Sequence, residues 1–376
     1  MSYPDSLIDH IQNILTFRYD PNAIPAIPEP VVYSKTVSDP DGIVIEQLLK
    51  DNIKRNLKRF ETIVFGLSSG IDSVLLLYMV RDVFPKAKIL TITQAGVNDE
   101  SDEASYHSEK CNAHHFTIGL DVYHNVKNVT TIRKDLFWNI YPHVLGSYTK
   151  LIHSVLVLGD GGDEFFAGYS FRYKKFQEMQ EHNLALRYMN CQLNDWVDDQ
   201  DKIFKTGYSF IDKITLLDRF FKMGENELES VLLADINGKL LRDAMYFDFY
   251  MARYYHIKLV TPLLDKAVME RCLKTPINEK CDGKVGKLQL RNIAKRYGLE
   301  FEPDKKGYVP DILKEFKTNH DQIKKTLLDK NNKIYKIINY DWVNEHVNDL
   351  TDKRYVNKMF QLLVLEKYLW YKRRMK

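Results

Sequence analysis

Cysteine is scarce in this chain of 376 residues: Cys111, Cys191, Cys272 and Cys281 are all there is. None forms a Cys-x-x-Cys pair, so neither a paired-thiolate zinc site nor a dithiol redox couple is signalled. Four thiols in so long a chain do not make a disulfide framework. Long apolar runs are missing as well. The longest, Val74 to Val80, falls far short of the roughly 20 residues that span a bilayer. No charged-then-apolar segment opens the chain, so the sequence predicts a protein of the cytosol, or of a compartment like it, with no membrane partner. Charge of one sign is lacking too. With 54 basic and 51 acidic residues the net charge is +3, which gives no argument for a nucleic-acid partner. The basic end Lys372-Arg373-Arg374-Met375-Lys376 reads as a solvated tail. There is no internal repeat and no low-complexity segment.

What is present is enough chain for one large domain or two modest ones. Pro21, Pro25, Pro28, Pro30 and Pro40 bar regular helix from about residue 20 to 42, so this stretch reads as an extended arm. It leads into an amphipathic helix near Gly42 to Arg59. From Glu61 strands and helices alternate. Strands are expected at Thr62–Leu67, Ala87–Thr93, His115–Ile118 and Ser154–Leu158, and helices at Ile71–Val83 and Ser101–Cys111. That alternation predicts an α/β fold with a doubly wound parallel sheet. Beyond about Phe165 strand signals are few, and a mostly helical C-terminal half is expected.

Two segments leave strands in a way that carries chemistry. The first is Leu67-Ser68-Ser69-Gly70-Ile71-Asp72-Ser73, which runs strand, tight turn, helix. Gly70 permits a sharp turn and close approach to a ligand. The amides freed at the helix start form an anion site, and the hydroxyls of Ser68, Ser69 and Ser73 can donate to phosphate oxygens. Asp72 would repel a phosphate unless a cation lay between them, which implies Mg²⁺. No Gly-Lys-Ser/Thr ending follows, so this is not a Walker A loop; a serine-capped helix is the plainer alternative. The second is Gly159-Asp160-Gly161-Gly162-Asp163-Glu164-Phe165-Phe166-Ala167-Gly168-Tyr169. Its three carboxylates in five residues repel one another unless a cation compensates. A solvated acidic turn is disfavoured by the apolar strand before it and the aromatics after it.

The first segment resembles the pyrophosphate loop of the N-type ATP pyrophosphatases, with Ser69 where a glycine is usual. The second resembles the Gly-Asp/Glu-Gly-x-Asp-Glu-x-Phe-x-Gly-Tyr signature of asparagine synthetases. The resemblance runs from about residue 45 to 315 and implies a HUP-like ATP pyrophosphatase core. It implies that Leu67 and Gly159 line the adenosine, and that Asp72 and Asp163 hold Mg²⁺. It places Asp160 where relatives carry an acid or, in β-lactam-forming members, a tyrosine. Val129-Thr130-Thr131-Ile132-Arg133 resembles the segment that holds aspartate, which casts Thr130 and Arg133 as substrate ligands. Guanidinium suits that role because it pairs bidentately with carboxylate. The Asp99-Glu100-Ser101 helix reads as mainly structural. Lys287-Leu288-Gln289-Leu290-Arg291 matches Lys-x-x-Leu-Arg, and Lys305 matches the family's catalytic lysine. Lys258 and Val260 stand where the family has a glutamate and an arginine.

The resemblance thus implies an ATP-dependent ligase that adenylates a carboxylate, with aspartate favoured, releases pyrophosphate, and forms an amide with ammonia. Residues 1–44 are expected as a proline-rich arm, 45–200 as the nucleotide-binding α/β part, and 201–376 as a helical part completing the site. Only about sixty residues precede the first motif, and Ser2 rather than cysteine follows Met1. The glutaminase half of glutamine-dependent relatives is therefore expected to be missing, leaving free ammonium, another amine or a separate glutaminase subunit as the nitrogen source. Two alternatives stand: amide or lactam formation on another carboxylate, as in β-lactam synthetases, and a nucleotide-binding module without turnover.

Overall fold

The computed structural model describes residues 3–27, 32–34, 37–95, 100–119, 123–125, 130, 136, 141–191, 196–205, 207–302 and 311–374. Five strands make one parallel sheet: β1 (Thr62–Gly66), β2 (Lys88–Gln94), β3 (His114–Ile118), β4 (Val155–Val157) and β5 (Lys258–Val260), in the order β3-β2-β1-β4-β5. The chain steps outward from β1 to β3, then returns to the other side of β1 for β4. The reversal leaves a crevice between the carboxyl ends of β1 and β4, where open α/β sheets bind ligands.

Alternation of side chains sorts the sheet's two faces. Ile63 and Phe65 of β1 and Val155 and Val157 of β4 are buried against the helices Ile43–Leu57, Ile71–Val83 and Leu288–Arg296. Val64 and Leu156 are buried on the opposite face with Leu145, Met251 and Tyr255, from the helices Tyr141–Leu151 and Met245–Tyr255. Burial on both faces is why these strands read as continuous apolar runs. The doubly wound parallel sheet expected from the sequence is present.

Two features were not anticipated. The fifth strand comes from the helical half: Lys258-Leu259-Val260 pairs with Val155-Leu156-Val157. The N-terminal stretch opens with a helix, Asp5–Phe17, whose Ile11, Ile14 and Leu15 are buried. They pack in a second core built largely from the helices Ile312–Thr318, His320–Leu327 and Lys353–Arg374. Among the described residues no helix is long and apolar enough to cross a membrane.

Candidate active site

A cavity of about 680 Å³ opens at the carboxyl ends of β1 and β4. Leu67, Ser68, Ser69, Gly70, Asp72 and Ser73 line it from the first motif, and Gly159, Asp160 and Asp163 from the second. Of the residues singled out in the sequence, these nine are brought together. Thr130 is buried and is not among the described residues lining the cavity. Arg133 and Lys305 lie outside the described residues.

The first loop closes on itself. Ser73 Oγ accepts from the Ser68 backbone amide at 3.1 Å, lies 3.0 Å from Ser68 Oγ, and donates to the Ser68 carbonyl at 3.0 Å. Ser68 Oγ in turn accepts from the Gly70 amide at 3.2 Å. Gly70 has φ −71°, a torsion open to any residue, so the sharp turn does not come from a glycine-only conformation. What its bareness gives is space: a Cβ there would stand 3.2 Å from Ser68 Oγ. The Ser69 amide is held by Glu100 Oε2 at 3.2 Å. Glu100 is buried and lines the cavity, and so ties the start of its helix to the first loop.

The second motif turns through Gly161, whose φ of +92° is left-handed and favours glycine. The short helix Gly162–Phe165 follows. Asp72 packs directly on Gly162, where any Cβ would occupy the place of its carboxylate. Asp163 and Lys287 lie against Gly168 in the same way. Asp72 and Asp163 therefore converge, and the cation at their meeting point is Lys287. Its Nζ pairs with Asp163 Oδ1 at 2.7 Å and with Asp72 Oδ2. Lys287 is buried. Burial alone would lower its pKa, but the two carboxylates outweigh that and hold it well above the usual lysine value. Its backbone has φ +60°, and its amide donates to the Phe166 carbonyl at 2.8 Å. A non-glycine residue in that conformation is strained and persists because its surroundings fix it.

The donor set suits Mg²⁺. Two carboxylates from different loops already meet around one positive charge in the cavity, and Mg²⁺ is commonly held by one or two carboxylates with phosphate oxygens completing the shell. No three-residue cluster of His, Cys, Asp or Glu with metal-binding geometry occurs among the described residues.

Asp160 lies beside these groups. Burial first, then the negative charges of Glu164 and Asp72, push its pKa up to about 6, while a hydrogen bond with Asp248 pulls it back. Asp248 also lines the cavity. Glu164 is raised by burial, opposed by the charge of Lys239 and the hydrogen bond from Tyr169, whose hydroxyl donates to Glu164 Oε1 at 2.8 Å. Lys239 donates to the same hydroxyl at 3.2 Å. It sits on a π-helical segment, Ile236–Ala244; such stretches are frequent at functional sites.

Lys258 is exposed and opposite Val155 at the amino end of β5. It is not among the described residues lining the cavity, so the exchange of a glutamate for a cation there does not put a positive charge into it. The sequence reading takes Lys287 only as a motif match and the Glu100 helix as mainly structural, and it does not single out Lys239, Asp248 or Arg18; all five line the cavity. A matched motif was signal enough to nominate Lys287 and Glu100; Lys239, Asp248 and Arg18 carried none.

Residues 44–372 match the asparagine synthase family model. Among solved structures, the NMN synthetase from Francisella tularensis is 14% identical over 58% of this chain and 96% of its own, with a TM-score of 0.25. The U34-tRNA thiolase NcsA from Methanococcus maripaludis, which carries a [4Fe-4S] cluster, is 14% identical over 56% of this chain and 78% of its own, also with a TM-score of 0.25. No curated protein matches the chain.

Proposed function

The chain belongs to the asparagine synthase family, and on that premise we propose that it is an amide-forming ligase that adenylates a carboxylate, with the aspartate side chain favoured, and passes the acyl group to ammonia. Family membership supports ATP-dependent C–N ligation in general; the acceptor and nitrogen donor are part of the proposal. The observation that carries it is the convergence of Asp72 and Asp163 on Lys287 inside the cavity where β1 and β4 diverge.

ATP lies with its base near Leu67 and Gly159 and its phosphates on the Ser68–Ser73 loop. Asp72 and Asp163 hold Mg²⁺, which when bound offsets charge on the phosphates and on departing pyrophosphate. Lys287 contributes a fixed positive charge in the same place, already oriented before substrate arrives. The acceptor carboxylate attacks the α-phosphorus, pyrophosphate leaves, and an acyl-adenylate remains. Thr130 and Arg133 are assigned to hold the acceptor, and Lys305 to stabilise oxyanion charge in both steps. Ammonia then attacks the acyl carbon, Asp160 accepts its proton, and AMP departs. Holding both reactants in one cleft contributes several kcal/mol toward the barrier.

The test is pyrophosphate release from ATP–Mg²⁺ by the purified chain, with aspartate, with ammonium, with both, and after chelation of the metal. Release that needs aspartate, stops on chelation and ends in asparagine when ammonium is present is the expected result. Release with other carboxylates but not aspartate moves the acceptor to the β-lactam-synthetase-like alternative. No release with any carboxylate leaves a nucleotide-binding module and sinks the ligase reading.

A further inference from the structure

Three successive amides of the first loop are engaged, and their partners differ in kind. The Ser68 amide donates to Ser73 Oγ, and the Gly70 amide to Ser68 Oγ. Both acceptors are neutral hydroxyls of the loop itself, and Ser73 Oγ is fixed in turn by donating to the Ser68 carbonyl. The Ser69 amide donates instead to a carboxylate oxygen, Glu100 Oε2 at 3.2 Å, brought in from 31 residues further along the chain. Glu100 is 7% exposed and lines the cavity. Among the described residues the Ser69 amide is the one partner its side chain has. A carboxylate taken out of water on a single hydrogen bond is costly, so little holds it there.

Glu100 also has somewhere else to go. It is the N-cap residue of the helix Ser101–Lys110, yet its side chain makes no capping bond to that helix. The amides at the amino end of a helix favour a negative charge. A change of rotamer at Glu100 alone carries its carboxylate from the Ser69 amide toward them.

We propose that Glu100 is a two-position carboxylate that regulates entry to the phosphate loop. In one position it stands in for a phosphate oxygen on the Ser69 amide; in the other, once a polyphosphate has taken that amide, it caps its own helix. The displacing anion is the polyphosphate of a nucleotide with its Mg²⁺, whose several charged oxygens outcompete one carboxylate. Apparent nucleotide affinity is then lowered by the fraction of molecules in which the Ser69 amide is already taken. The identity of that anion rests on the ligase reading, but binding alone tests the switch.

Two variants separate displacement from its alternatives. E100A removes the carboxylate. E100D keeps the charge and suits the N-cap position, but its side chain is one methylene short of the Ser69 amide. The full chain and both variants, each checked for native melting, are titrated by calorimetry with α,β-methylene-ATP and Mg²⁺, which needs no turnover, and assayed for pyrophosphate release. Loss of a competitor worth one charge-assisted hydrogen bond predicts that Kd and KM for the nucleotide fall roughly tenfold in both variants, with KM for the carboxylate acceptor unchanged. A Kd that rises in E100A makes Glu100 a fixed brace of the loop. A Kd that falls in E100A but not in E100D reduces its effect to plain repulsion. Either result, or no change in both variants, overturns the proposal and leaves the ligase reading in place. If pyrophosphate is never released but both variants bind the nucleotide tighter, the switch stands and the ligase reading falls. If neither wild type nor variants bind the nucleotide, both fall.

Discussion

At the scale of the residue, the site is a problem of like charges. Asp72, Asp160, Asp163, Glu164 and Asp248 share one cavity, and the structure answers their repulsion in different ways. Asp72 and Asp163 close on the buried ammonium of Lys287. Asp160, half-buried and facing Glu164 and Asp72, is instead pushed up to about 6, which poises a carboxylate for work as a base near neutral pH. The deprotonated form is the one that accepts a proton. Amide formation should therefore be full above that value and be lost as pH falls through about 6, the limb belonging to the hydrogen-bonded Asp160–Asp248 pair rather than to one group. Asp160→Asn should slow amide formation by roughly 10²–10⁴-fold while leaving carboxylate-dependent exchange of labelled pyrophosphate into ATP near its normal rate. Equal loss of both half-reactions would remove Asp160 from the role of base.

At the scale of the element, two strand-to-helix turns must interlock, and bare glycines let them. Asp72 rests on Gly162, and the Asp163–Lys287 pair rests on Gly168. Gly168→Ala places a methyl group on Asp163 Oδ1 and Lys287 Cε, against backbone as well as side chain. It should destabilise the chain by about 1–3 kcal/mol, as overpacking does, and abolish pyrophosphate release in a protein that still melts cooperatively. Full activity in that variant would show that the pair's position is not needed. These turns were legible because each follows an apolar run buried on both faces of the sheet: β1, β2, β4 and the helix Ile71–Val83 lie within a residue of where apolar runs put them. β5 was not legible. Lys258-Leu259-Val260 is too short to show a period, and it is a strand because β4 offers it an edge. Neither was the π-helical segment Ile236–Ala244: nothing in the pattern of Ile236-Asn237-Gly238-Lys239 distinguishes five-residue from four-residue hydrogen bonding. Arg18 stayed hidden for a related reason. Its place depends on contacts with residues more than two hundred positions away, which local composition does not encode.

At the scale of the whole molecule, the N-terminal helix links the active-site wall to the far helical layer. Leu15 is 1% exposed and packs in the core that holds Val356, Phe360 and Leu363 of the long C-terminal helix Lys353–Arg374. The Leu15 carbonyl, in the last turn of its own helix, accepts from Gln200 Nε2 at 3.3 Å and from the buried Lys358 Nζ. A cation is favoured at that end of a helix, where carbonyls lack intrahelical partners. Three residues on, the same helix ends at Arg18. The docking of Leu15 therefore fixes where Arg18 stands, and the C-terminal helix bears on the cavity without touching it. Leu15→Ala should lower the unfolding free energy by about 2–5 kcal/mol, the usual cost of emptying a buried leucine site, read from urea denaturation. It should leave KM for ATP in place, because the nucleotide loop is anchored on β1 and not on this helix. A stability loss below about 1 kcal/mol, within the range of ordinary surface changes, would mean the helix is not docked as described.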